Sequence, residues 1–216
     1  MIYNLSESQS IVSQWMSEIR DLSIQVDRMR FRRNLERIGE VAALEISKEL
    51  EYEDCLIQTP MGEKEVSKLK AYPVLATILR AGLPMHQGLL EVFDQSDCGF
   101  IAAFRKHHRD GSFEISAEYF TCPPLTNRVL IVADPMLATG ASLVVALQGL
   151  LKYGQPTKIH IVTAIACTQG IEAVLRHFPD VDIWAGDIDD ELTAKGYIVP
   201  GLGDAGDLAF GSKEQS

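Results

Sequence analysis

No stretch of this chain approaches the ~18 consecutive apolar residues that a membrane-spanning helix needs, and its start carries no basic-then-apolar leader. The expectation is a cytoplasmic protein with no membrane partner. Cysteine is sparse. Cys55, Cys98, Cys122 and Cys167 stand far apart, with no CxxC and no paired histidine spacing. That pattern indicates neither a zinc site nor a disulfide framework and fits a reducing compartment. Positive charge is short as well: 20 lysines and arginines face 30 acids, a formal net charge of −10. Such a balance argues against nucleic acid as a partner, which calls for a basic face. It also means that any anionic small molecule would have to find local cations. What is present is ordinary for a globular protein, 46% hydrophobic and 23% charged over 216 residues.

No repeat, low-complexity tract or linker divides the sequence, so one domain spanning 1–216 is expected. Within 1–70, Ile11, Val12, Trp15, Met16, Ile19 and Leu22 recur at helical spacing. So do Leu35, Ile38, Val41, Ala42, Ile46 and Leu50. The basic run Arg28-Met29-Arg30-Phe31-Arg32-Arg33 between them reads as a solvated helix face, with a phosphate or dimer contact as the alternative. Cys55 to Val66, turning at Pro60-Met61-Gly62, predicts a small hairpin.

From 71 to 185 the pattern alternates. Strands are predicted at Pro73–Leu79, Gly99–Phe104, Arg128–Ala133, Lys158–Ala166 and Val181–Ala185. Helices are predicted at Pro84–Phe93, Ala141–Lys152 and Gln169–Phe178. Apolar strands alternating with helices make an α/β fold, a parallel sheet covered on both faces. Residues 105–120 carry the turn pair Asp110-Gly111 and alternation at Phe113, Ile115, Ala117 and Tyr119, which reads as a protruding β-arm. The tail 186–216 is rich in glycine up to Gly211, as backbone close to a ligand or an irregular loop would be.

The most informative segment is Val129-Leu130-Ile131-Val132-Ala133-Asp134-Pro135-Met136-Leu137-Ala138-Thr139-Gly140-Ala141-Ser142. A buried strand ends at a single acid, a small-residue loop follows, and a helix begins. Free N–H groups and the positive end of the helix dipole then face whatever sits in the loop. Thr139 and Ser142 add hydroxyls. Ala141 stands where a nucleotide-triphosphate P-loop requires lysine, and there is no GxGxxG. An acid on one side and an anion cradle on the other suit a phosphorylated sugar.

A second segment, Ile78-Leu79-Arg80-Ala81-Gly82-Leu83-Pro84, also runs from a strand through a small-residue turn into a helix. Ligands of parallel sheets collect at the carboxyl ends of strands, so Arg80 and the Asp134 loop share a crevice if their strands are neighbours. A guanidinium there can grip a pyrophosphate bidentately. Arg105 has the same placement on its own strand. Lys106, His107, His108 and Arg109 behind it read as a solvated arm tip. The third segment is Gly196-Tyr197-Ile198-Val199-Pro200-Gly201-Leu202-Gly203-Asp204-Ala205-Gly206-Asp207. Its glycines suit recognition of a flat polar edge by backbone N–H and C=O groups, where no side chain intervenes.

DPMLATG at 134–140 resembles the phosphoribosyl-pyrophosphate (PRPP) motif of type I phosphoribosyltransferases. Its proline, where most of that superfamily has a second acid, resembles the uracil phosphoribosyltransferase family in particular. The likeness extends over nearly the whole chain: an RFR–xxxxxIG-like helix near Arg30–Gly39, ILRAGL at 78–83, HFPDVDIWAGDID at 177–189 and GLGDAGD at 201–207. It implies a type I phosphoribosyltransferase-like parallel sheet flanked by helices, with a β-arm and a C-terminal hood from 186. The implied reaction is uracil plus PRPP giving UMP and pyrophosphate, in pyrimidine salvage. The resemblance assigns Arg80 and Arg105 to PRPP and its leaving pyrophosphate. It assigns Asp134, Pro135, Met136, Leu137, Ala138, Thr139, Gly140, Ala141 and Ser142 to the ribose and 5′-phosphate. Ile198, Gly203, Asp204 and Ala205 would meet uracil, Asp204 also on the PRPP side. Mg²⁺ is the implied cofactor, held mainly by PRPP with Asp204 as the protein's candidate ligand. A homo-oligomer, a dimer or higher, and GTP regulation belong to the same set of expectations.

Departures from the family pattern are also present. Ala141 replaces the second glycine of TGGS. Arg105-Lys106-His107-His108-Arg109-Asp110-Gly111 replaces an arginine followed by Asn-Glu-Glu-Thr. Asp190-Glu191-Leu192-Thr193 stands for Gly-Leu-Asn, and Cys167-Thr168-Gln169-Gly170 for Ala-Pro-Glu-Gly. Transfer to another nucleobase and a non-catalytic PRPP or uracil sensor are the alternatives these leave open.

Overall fold

The structure, a computed structural model, describes residues 1–107 and 113–212, and for 103–107 and 113–118 the backbone alone. In chain order the elements are β1 (Ile2–Asn4), α1 (Ile11–Arg20), α2 (Arg28–Ser47), β2 (Tyr52–Thr59), β3 (Gly62–Leu69), β4 (Val74–Leu79), α3 (Leu83–Val92), β5 (Cys98–His107) and β6 (Phe113–Thr121). There follow β7 (Val129–Ala133), β8 (Met136–Leu137), α4 (Ala141–Leu150), β9 (Lys158–Cys167), α5 (Thr168–His177), β10 (Asp182–Asp189), β11 (Glu191–Leu192), β12 (Ile198–Val199) and α6 (Ala205–Phe210).

Local chemistry sets the helix ends. The Ser10 hydroxyl accepts the Val12 N–H to open α1, and the Asp27 carboxylate accepts the Met29 and Arg30 amides to open α2. Pro84 sits in the first turn of α3, where its missing N–H costs nothing.

The strands pair in the order β1-β10-β9-β7-β4-β5-β6, with β8 alongside β9. All pairs are parallel except β5 with β6, which is antiparallel from Phe100↔Thr121 to His107↔Phe113. The β-arm expected at 105–120 is therefore an extension of the sheet's own edge pair, and its turn at Asp110-Gly111 lies outside the described residues.

Both faces of the sheet are apolar, which is why β7 reads as an unbroken hydrophobic run rather than an alternating one. Its Ile131 and Ala133 face a core with Phe31, Leu35, Ile38, Met85 and Leu89 from α2 and α3. Leu130 and Val132 face the other, with Leu143, Leu147, Leu150, Ile171 and Val174 from α4 and α5. Full burial of each such side chain contributes roughly 1.5–3 kcal/mol.

Three features differ from the sequence reading. β10 runs through Gly186 to Asp189 instead of stopping at Ala185, so the hood begins later than 186. A side chain at 186 would collide with Ala164 O at 2.6 Å and Met16 Sδ at 2.8 Å, so this glycine serves strand and helix packing. β1 adds a parallel edge strand, too short for a periodicity signal. The hood also carries structure of its own, the β11–β12 pair and α6.

Candidate active site

The sheet brings the predicted loops to one edge. β4 lies between β7 and β5, with Thr77 opposite Ala133 and Leu79 opposite Ala102. Chain order leaves β4 toward β5 on one side and returns to β7 on the other, the topological switch point at which a crevice opens. Arg80 follows β4, Asp134 follows β7, and the backbone of Arg105 lies on β5 opposite Ile115. The Arg105 side chain is outside the described atoms. The first two loops touch: the Thr77 hydroxyl donates to Ala133 O at 3.0 Å, and a Cβ on Gly82 would sit 2.7 Å from the same oxygen.

The Asp134 loop divides into two parts. Met136 and Leu137 form β8 against Ile165 and Ala166, and Pro135 O accepts the Ala164 and Ile165 amides. Leu137 is buried in the core. Pro135 is buried as well, Met136 packs half-buried against the core, and this half bends the chain. The half from Ala138 to Ser142 forms the cradle. Gly140 caps α4 at φ +80° with no side-chain hydrogen bond to the helix, which leaves the Ser142 and Leu143 amides of the first turn for an anion. A Cβ on Gly140 would meet Gly170 O at 2.8 Å, and one on Gly170 would meet Ala138 O at 2.2 Å. The cradle thus rests directly on the first turn of α5, and Gly170 is a supporting residue that the sequence reading passed over. Ala141 is the first residue of α4, and its N–H donates to Thr139 Oγ1 at 3.4 Å. At that helical position alanine is a better residue than glycine.

Asp134 is half-buried, and its N–H donates to Val162 O at 3.0 Å. Burial pushes its carboxyl up to about 7, against the opposing Met136 N–H. A carboxyl so poorly solvated gains from hydroxyl donors or a nearby cation.

The hood closes over both loops. Gly196 packs beside Thr139, where a Cβ would lie 3.3 Å from Cγ2, and Gly206 faces Ala81 at 3.8 Å. Within the hood, Ile198 and Ala205 are buried, while Gly203 is exposed at φ +98° with open space beside it. The Asp204 side chain accepts the Asp207 N–H at 3.0 Å as the cap of α6, a contact that leaves its second oxygen for other partners. Arg80 is half-exposed. It donates to Gly211 O at 3.2 Å and lies 3.8 Å from Asp207 Oδ1. Arg32, from the basic run, donates to Ala209 O at 2.6 Å and lies over the Phe210 ring, so that run is more than a solvated face.

Two other features lie at the opposite edge of the sheet. Glu49, His160 and Asp182 could be mistaken for a metal site, but Lys158 pairs with Asp182 at 2.8 Å and Trp184 donates to His160 Nδ1 at 3.2 Å. A cleft of about 300 Å³ opens where α4 and α5 end, among Lys158, His177 and Asp180. Helix carboxyl ends repel the anions that the cradle attracts.

Comparison with known proteins agrees with this geometry. The family model described as uracil phosphoribosyltransferase matches residues 6–212. A uracil phosphoribosyltransferase of Porphyromonas gingivalis is 46% identical over 98% of this chain and 99% of its own length. One from Pyrococcus furiosus is 38% identical over 97% of this chain and 90% of its own. The solved structure of the AQ2163 protein from Aquifex aeolicus superposes with a TM-score of 0.87 at 32% identity, covering 98% of each chain. A phosphoribosyltransferase from Corynebacterium diphtheriae, at TM-score 0.53 and 14% identity over 83% of this chain and 96% of that one, shares the fold. The chain has the type I phosphoribosyltransferase fold and belongs to the uracil phosphoribosyltransferase family.

Proposed function

We propose that the protein transfers the phosphoribosyl group of PRPP to N1 of uracil, giving UMP and pyrophosphate. The observation that carries this reading is the meeting of the Arg80 and Asp134 loops across β4 and β7 beneath a backbone-rich hood. The cradle from Ala138 to Ser142 takes the 5′-phosphate, and the Asp134 carboxylate accepts from the ribose hydroxyls. The C1–O bond to pyrophosphate breaks as the N1–C1 bond forms on the opposite face, the bonding electrons leave with the pyrophosphate oxygen, and N1 gives up its proton to water. Arg80 and Arg105 stabilise the negative charge that collects on the leaving oxygens, a contribution largest where donors are preorganised. Ile198, Gly203, Asp204 and Ala205 orient uracil so that N1 faces C1, turning an encounter into a positioned reaction.

No cluster of three acids gathers at this edge among the described residues. The donor set, Asp134 and Asp204, fits Mg²⁺ coordinated mainly through substrate oxygens, as is usual for that ion. When bound, Mg²⁺ would neutralise pyrophosphate charge.

Backbone recognition also sets specificity. Cytosine places a donor and an acceptor where uracil has the reverse, leaving buried polar groups unpaired at ~1–3 kcal/mol each. A cytoplasmic enzyme assembled from copies of itself completes the proposal. No described helix is long and apolar enough to cross a membrane. The β2–β3 hairpin exposes Leu56 and Met61, apolar surface suited to a second copy. Light scattering reads that state, and added GTP in the same assay reads regulation.

The deciding experiment is pyrophosphate release from PRPP and Mg²⁺ with a panel of bases. Uracil should exceed cytosine by at least ~10²-fold in kcat/KM. Equal turnover of cytosine or a purine would remove the uracil assignment. PRPP binding without turnover of any base would leave a sensor.

A further inference from the structure

Arg20 ends α1, outside the crevice, and its guanidinium is the most heavily engaged cation among the described residues. Nη1 donates to Asp189 Oδ2 at 2.9 Å and to Gly201 O at 3.1 Å. Nη2 donates to Asp189 Oδ1 at 2.9 Å and to Asp187 Oδ2 at 2.8 Å. The pairing with Asp189 is bidentate, the arrangement that fixes angle as well as distance. The second half of the device is Asp189 itself, whose Oδ2 accepts the Gly201 N–H at 2.9 Å. Both backbone polar groups of Gly201 are therefore held by this one ion pair, its amide by Asp189 and its carbonyl by Arg20.

Gly201 lies inside the segment that the functional reading assigns to the base. It has φ +63°, and a Cβ there would fall 2.1 Å from Ile198 O, so the chain doubles back tightly between Ile198 and Leu202. Ile198 and Leu202 are each 4% exposed and anchor the loop by packing, which fixes its depth but not the direction of its N–H and C=O groups. The ion pair supplies the direction. Asp189 is 8% exposed, yet although burial opposes it, the Arg20 hydrogen bonds and the Gly201 N–H hold its carboxyl below the usual carboxylate range. The PRPP cradle is held by other contacts, those of β8 on β9 and of Ala138 on Gly170.

We propose that Arg20, acting through Asp189 and Gly201, is a positioning residue for the base: it sets the orientation of the loop that reads uracil and takes no part in holding PRPP. The inference rests on the uracil reading given above.

Its test is Arg20→Lys, which keeps a charge at the end of α1 but loses the fork, since an ammonium cannot meet both Asp189 oxygens, Asp187 and Gly201 O in one plane. Asp189→Asn is the second variant. It retains an oxygen for the Gly201 N–H and removes the charge that binds Arg20, so it answers the question if the lysine variant does not fold. Steady-state kinetics should show the KM for uracil raised about tenfold or more in either variant, with discrimination against cytosine reduced. Calorimetric PRPP affinity without uracil should stay within about twofold of wild type. An unchanged uracil KM, or PRPP affinity weakened in parallel with it, overturns the positioning role. Absence of uracil turnover in the wild type would instead overturn the functional reading, and the two failures are told apart by the wild-type assay alone.

Discussion

If Asp134 holds the ribose hydroxyls, PRPP binding must release a proton. In the free protein, burial raises this carboxyl from 3.8 to about 7, so near neutrality it is roughly half protonated, and one pH unit lower about nine-tenths so. Hydroxyl donors and a divalent cation both favour the ionised form, so the bound complex has the lower pKa. Below pH 7 the apparent PRPP affinity should fall, approaching tenfold per unit, and binding should expel up to one proton. Stability responds with the opposite sign. Because the folded pKa is raised, the unfolded chain ionises first as pH rises from about 4 to 7, and the free protein loses stability across that window. The upper bound, from the interval between 3.8 and about 7, is about 4 kcal/mol, reduced by the solvent Asp134 still touches. Calorimetry of PRPP binding in two buffers of different ionisation enthalpy counts the proton. PRPP carries phosphates that titrate near pH 6, so Asp134→Asn is the required reference. The variant keeps an oxygen that can accept from hydroxyls but has no proton to lose. Equal proton release by wild type and Asp134→Asn, or proton uptake by the wild type, would refute the assignment of Asp134 to the substrate.

Arg80→Ala should lower kcat about 10²–10³-fold with thermal unfolding little changed, since the side chain is 44% exposed. Wild-type kcat in that variant would remove Arg80 from the leaving-group step. Gly140→Ala combines a left-handed backbone with a clash at Gly170 O and should cost roughly 1–3 kcal/mol of stability, together with PRPP binding. Ala141→Gly should change PRPP affinity by less than about tenfold, because the position is already helical. Calorimetry on the pair checks both, and a larger loss at 141 than at 140 would contradict the cradle geometry. His86 is 3% exposed with neither ring nitrogen hydrogen-bonded, and it meets Phe100 edge-on at 5.3 Å. Burial lowers its pKa from 6.5 to about 4, so it removes stability as pH falls between those values, by up to about 3 kcal/mol. In denaturant titrations His86→Phe should flatten that acid limb, and an unaltered limb would count against the assignment.

The parts of this molecule that sequence alone made legible are those whose determinants are local. β7 and the cradle are contiguous, and a β-branched run, one acid, small residues and a helical pattern each leave a mark within a few positions. β4 and Arg80 are equally compact. Ala141 was ambiguous in sequence because an alanine tolerates a helical φ and not a left-handed one, and only the position of the helix start decides between them. A start one residue later would make 141 the left-handed cap position, where alanine is strained. What the sequence hid is what depends on pairing across the chain. Arg20 and Asp189 are 169 residues apart: one looks like the end of an amphipathic helix, and the other closes the HFPDVDIWAGDID segment with nothing in that segment to name Arg20 as its partner. The same holds for Gly170 beneath Ala138 and for Arg32 reaching Ala209 O. Each is an ordinary residue until the fold supplies its partner. Chemistry at the substrate needs particular atoms at particular spacing and so marks the sequence, whereas the contacts that aim those atoms need only reach. That difference explains why the cradle was readable and its supports were not. The loop assigned to the base shows the same division: Ile198 and Leu202 pack it and Asp204 caps α6, all within the segment, while the N–H and C=O of Gly201 are held by Asp189 and Arg20 from elsewhere in the chain.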